Sequence, residues 1–189
     1  KYKKRCLIKQ YNTSNFIKNI SCKIKKTRTS KRFHVNVTNH KIFQNFSFQN
    51  GGAVLWNGDF GILSDCIFIN NTATNAGGGV YWVKPNGILT DSNFINNTAS
   101  SGGGGIFWWG ANGTLSNSNF SSNFAPDGAG VTGGGSNNNI IGCIFTNNSA
   151  SNDGGGINWW GVNFSLTNCT FINNTARDGA GVCWGGASS

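Results

Sequence analysis

The chain has 189 residues, room for one domain, and only 11% of them are charged, against roughly 25% in ordinary globular proteins. Glycine (28) and asparagine (30) displace the helix formers, which excludes a coiled coil. The glycines lack the period of collagen, and no apolar run approaches the ~18 residues of a membrane-crossing helix.

Charge divides the chain. Residues 1–50 hold 13 of the 15 Lys and Arg and no acid, whereas residues 51–189 hold Lys84, Arg177 and all six Asp. No apolar stretch follows the opening basic residues, so no signal peptide is visible and the sequence reads as a processed chain or excised fragment. Tyr11-Asn-Thr-Ser-Asn-Phe16-Ile-Lys-Asn19 matches Leu89-Thr-Asp-Ser-Asn-Phe94-Ile-Asn-Asn97 in residue type, but no glycine pair follows it. Residues 1–36 therefore read as a basic N-terminal cap or degenerate first turn, a solvated basic arm being the plain alternative. Their charge would suit an anionic polymer, and no recognised nucleic-acid motif accompanies it.

From residue 37 to 189 the sequence repeats. Phe68, Phe94, Phe120, Phe145 and Phe171 form one column, and Val54, Val80, Ile106, Val131, Ile157 and Val182 form a second. A third runs through Val37, Leu63, Leu89, Leu115, Ile140 and Leu166. The period is 25–26 residues, and the one-residue deletions fall between the Asn after each Phe and the next glycines. Each copy holds three short apolar segments separated by Asn, Gly, Asp and Ser, too short for helices and locally alternating. One copy cannot bury its own apolar side, but stacked copies share a core. The expectation is an all-β, single-stranded parallel β-helix (a solenoid) of about six to seven turns with three faces. The crossover rule favours a right-handed one. Asn45, Asn71, Asn97, Asn123, Asn148 and Asn174 sit three residues after the Phe position and are expected to stack inward as an amide ladder.

Gly-Gly-Ala/Gly-Val/Ile segments (Gly51–Val54, Gly77–Val80, Gly103–Ile106, Gly154–Ile157) alternate with Phe-x-x-Asn segments (Phe68–Asn71, Phe94–Asn97, Phe145–Asn148, Phe171–Asn174). This pairing resembles the repeats of chlamydial polymorphic outer-membrane proteins. The Trp108–Asn117 pattern Trp-x-Gly-x-Asn-Gly-Thr-Leu-Ser-Asn looks closer to adhesin-like surface proteins of methanogenic archaea. The resemblance covers about residues 37–189. It implies a right-handed parallel β-helix on an exported, extracellular cell-surface protein concerned with adhesion, and it brings no catalytic residues.

Candidate sites follow the columns. Trp56, Trp82, Trp108, Trp159 and Trp184 lie two residues after the aliphatic column, with Gly133 in the fourth turn, and alternation makes them core residues. Trp109 and Trp160, one place later, should point outward on either side of Gly134 and wall a shallow glycan-stacking groove. Asp127, Asp153 and Asp178 stack in consecutive turns. Each reads as an Asx turn, with calcium as the one ion the stack would suit; no other cofactor is implied. Asp65 and Asp91 share a corner column with Asn39, Asn117 and Asn168 and read as turn residues. Cys143 and Cys169, in adjacent turns, fall within disulfide reach. Pectin lyases and polygalacturonases share such a fold, but fold does not settle chemistry. Residues 51–189 contain no Glu or His, which weighs against catalysis, and the resemblance implies an adhesin-like module for cell-surface glycan or protein. A carbohydrate-active lyase or hydrolase is the alternative. The sequence stops before its last turn completes, so the helix is expected to be open at its C-terminal end and either to continue or to be capped by a partner.

Overall fold

The computed structural model describes residues 23–26, 33–38, 40–47 and 49–185. Among them there are only strands, turns and bends. The central turns carry three strands of three residues and one of two, as in Ile62–Ser64, Ile67–Ile69, Thr72–Ala73 and Val80–Trp82. Equivalent strands of successive turns pair in parallel, giving four sheets along one axis. The expected three faces are therefore four. The fourth is the Thr-Ala segment, which turns its Ala inward and pairs its backbone with the next turn, as Thr98↔Thr72 and Ala99↔Ala73.

The repeat columns are the registers: Leu63, Leu89 and Leu115 pair in line, as do Phe68, Phe94 and Phe120. The Leu sheet opens with an antiparallel pair, Lys23–Lys26 against Phe33–Thr38, and the latter strand joins the stack through Asn36↔Ile62. The expected degenerate copy at Tyr11–Asn19 lies outside the described residues.

Inside, like stacks on like. Phe68, Phe94, Phe120, Phe145 and Phe171 lie ring on ring at 4.6–4.9 Å, the spacing that strand pairing sets. Trp56, Trp82 and Trp108 do the same at 4.7–4.8 Å. Each donates its indole N–H to the carbonyl two residues on. Gly133 interrupts the Trp column, and Trp159 leans over it onto Phe164 at 4.5 Å. A cavity of about 10 Å³ remains beside Trp108, Leu115, Val131, Ile140 and Trp159. Trp159 Nε1 has no partner, because the tilt carries it away from the carbonyl its equivalents use.

The ladder from Asn45 to Asn174 is continuous. Each Asn Oδ1 from Asn71 onward accepts both the backbone N–H and the Nδ2 of the preceding Asn, at 2.9–3.1 Å. The second Nδ2 hydrogen of Asn71, Asn97, Asn123, Asn148 and Asn174 goes back to the carbonyl of the preceding turn's core residue (Ile42, Phe68, Phe94, Phe120 or Phe145). A buried amide costs stability unless satisfied in this way.

Candidate functional site

The strands Val54–Trp56, Val80–Trp82, Ile106–Trp108, Val131–Gly133, Ile157–Trp159 and Val182–Trp184 each point their first and third residues inward, Gly133 lacking a side chain to do so. Their middle residues form an outward column: Leu55, Tyr81, Phe107, Thr132, Asn158 and Cys183, in register. An outward column should be wet, and Leu55 is exposed. Phe107, Thr132 and Asn158 are nevertheless buried. They are the floor of a strip with a wall on each side.

The first wall is the backbone row through Ala76, Gly102, Asp127, Asp153 and Asp178, bridged as Ala76↔Gly102↔Asp127 and Asp153↔Asp178. It lies against the floor: a methyl group added at Gly102 would meet Thr132 Oγ1 at 3.1 Å and the Phe107 ring at 3.4 Å. Thr132 Oγ1 donates to Asp127 O at 2.6 Å. The second wall is aromatic. Trp109 sets its ring edge-on to Phe107, centroids 5.4 Å apart, while remaining 46% exposed, and Trp160 is 44% exposed. These values contrast with 0–6% for Trp56, Trp82, Trp108 and Trp159.

The expected groove between Trp109 and Trp160 needs correction. The Trp109 ring lies across Gly134, where a Cβ would strike its six-membered ring. Without a side chain at 134 to hold the indole upright, it folds onto the glycine. The result is a flat aromatic face in place of a trough with a glycine floor.

Asp127, Asp153 and Asp178, the expected metal residues, stand in successive turns along the first wall. No group of three or more His, Cys, Asp or Glu among the described residues is arranged to hold an ion. The counter-charge comes from Arg177, whose Nη2 lies 3.4 Å from Asp153 and Nε 3.1 Å from Asp178. Asp178 and then Asp153 hold the Arg177 guanidinium pKa above its ordinary value. Asp65 and Asp91 stand at another corner with φ of +53° and +52°, and Asn117 and Asn168 share this left-handed conformation. A short polar side chain is suited to that conformation.

Cys143 and Cys169 lie side by side as free thiols, each two residues after a registered pair partner, Ile141↔Thr167. The neighbouring Cys143 pulls the Cys169 thiol below the ordinary range. The same contact, followed by burial, pushes Cys143 up. Cys183, at the edge of the floor, is raised by burial and then by the Asp153, Asp178 and Asp127 carboxylates. The basic segment proposed for anionic polymers lies largely outside the described residues.

Asn158 escaped the sequence reading. It is 1% exposed, and neither its Oδ1 nor its Nδ2 has a partner. Alternation does place it outward beside Thr132, and a polar pair in an otherwise apolar column was the available signal. Its burial, however, comes from two walls that alternation does not reveal.

No curated protein and no solved structure gives a significant match to the chain. Residues 8–189 match the family described as a right handed beta helix region; with nearly the whole chain covered, the chain belongs to that family and its solenoid is right-handed.

Proposed function

We propose that this β-helix is an adhesin-like structural and binding module of an exported cell-surface protein, presenting a rigid face to glycan ligands. The carrying observation is the exposure of Trp109 and Trp160 on one outward face while the other four described Trp upstream of the last turn are buried. Two indoles two turns apart, about 10 Å by strand spacing, form a flat apolar surface with polar groups beside it. Sugar rings stack on such surfaces, and ligand sites commonly combine these features. The scaffold beneath is stiff, because each turn is tied to the next by the ladder and the stacked rings. A protein ligand on the same face is the other occupant to test, and an anionic wall polymer is proposed for the basic N-terminal segment.

The test is a glycan array followed by calorimetric titration of the strongest hit, using the parent and Trp109→Ala/Trp160→Ala. Loss of binding in the double variant, with the melting temperature retained, supports this reading. Unchanged binding removes the face from consideration.

A carbohydrate-active enzyme is kept as the second reading because Asp153 and Asp178 do meet Arg177 at the edge of the strip. The Arg177 and Asp178 side chains are both 65% exposed, and each carboxylate is occupied by the guanidinium, so neither is set apart as an acid or base. Incubation with polygalacturonate decides this reading: release of reducing ends or unsaturated products, abolished by Arg177→Ala, would establish catalysis.

A further inference from the structure

Asn158 poses a problem in chemistry. A buried side-chain amide left without partners costs stability on both its donor and its acceptor, and such a group in a native chain calls for an explanation. Thr132 shows that the column can avoid the cost, since one turn earlier its hydroxyl is satisfied by Asp127 O. Asn158 holds an open carbonyl and an open NH₂ together. Its register neighbours fix where it points: Thr132 reaches the Asp row, and Cys183 feels the carboxylates of that row. Trp160, two residues on, stands on the same side, as Trp109 does beside Phe107.

We propose that Asn158 and Trp160 form a subsite for the acetamido group of an N-acetylated amino sugar in a glycan lying along the Trp109–Trp160 face. This rests on the glycan reading above. The complement of an amide with both functions open is a second amide, which supplies an N–H to Oδ1 and a C=O to Nδ2 at once. A carboxylate offers acceptors only. Among common sugar substituents the acetamido group has the matching pair, and its methyl and the pyranose ring suit the adjacent indole. In the free chain Asn158 is closed from solvent, so binding of the acetamido group includes a shift of the side chains around it. The indole then packs against the bound ring.

The experiment is calorimetric titration of the full chain with chitohexaose, the glucosamine hexamer and cellohexaose, repeated with Asn158→Thr and Trp109→Ala/Trp160→Ala. The subsite predicts chitohexaose binding about tenfold tighter than cellohexaose, the ratio two ordinary hydrogen bonds give. Asn158→Thr, which installs the side chain found at Thr132, should remove that preference with the melting temperature unchanged or raised. Equal affinity for chitohexaose and cellohexaose, or a preference that survives Asn158→Thr, overturns the subsite and leaves the glycan face standing. Tighter binding of the glucosamine hexamer assigns recognition to the Asp row and likewise overturns it. No binding of any oligosaccharide, or binding that survives loss of both indoles, overturns the face and the subsite together.

Discussion

At the scale of single residues, stability is concentrated in side chains that repeat. Asn97 takes part in five hydrogen bonds that tie three turns together: its Oδ1 accepts from Asn71 N and Nδ2, its N and Nδ2 donate to Asn123 Oδ1, and its Nδ2 also reaches Phe68 O. Asn97→Ala removes the acceptor for two buried donors and the donor to a buried carbonyl, so a loss of about 2–4 kcal/mol is expected in denaturant unfolding, a sum of unsatisfied buried groups. Phe120, fully buried between Phe94 and Phe145, should cost about 3–5 kcal/mol as Ala; a change under about 1 kcal/mol would place that ring outside the core. Both residues were legible because a fixed spacing repeated them in phase. Asn158 was not, because alternation gives only the outward direction of a residue and says nothing of what covers it, and this one is 1% exposed. The fold of the Trp109 ring over Gly134 was hidden for a related reason: a sequence pattern gives the side of a strand and leaves the rotamer open.

At the scale of elements, the corners explain why this chain is so rich in Asn. Each turn bends through left-handed residues, as at Asp65, Asn70 and Gly77, where branched side chains are penalised. Asp91→Asn should therefore be neutral within about 0.5 kcal/mol, since Asn117 and Asn168 do the same job. Asp91→Val should lose about 1–2 kcal/mol, and equal melting temperatures for the two variants would contradict the corner assignment. The Cys143–Cys169 corner gives a pH-dependent prediction. Cys169 ionises below the ordinary thiol range and Cys143 above it. As pH rises, native-state iodoacetamide labelling should therefore start at Cys169, with Cys143 staying protected. Equal labelling of the two at every pH would show that the thiols do not interact. Adjacent-turn spacing made their proximity legible, whereas which thiol ionises first depends on the hydrogen bond between them and then on burial, neither of which the column encodes.

At the scale of the molecule, period and parallel stacking were readable from three aliphatic and aromatic columns, but the number of faces was not. A two-residue Thr-Ala strand has too little length to show alternation, and only its pairing with the turns above and below makes it a strand. Stacking also explains how function fits on such a scaffold. The inward columns are bound to their neighbours, so variation is tolerated on outward columns, where Trp109, Trp160 and Asn158 stand. Everything depends on equivalent residues lying one above another along a single axis. Solution NMR of the side-chain amides tests this directly. The Nδ2 protons of Asn97 should show cross-turn NOEs to the amide groups of Asn71 and Asn123, with exchange against D₂O far slower than at the exposed Asn96. Absent NOEs, together with exchange as fast as at Asn96, would contradict the stacked arrangement.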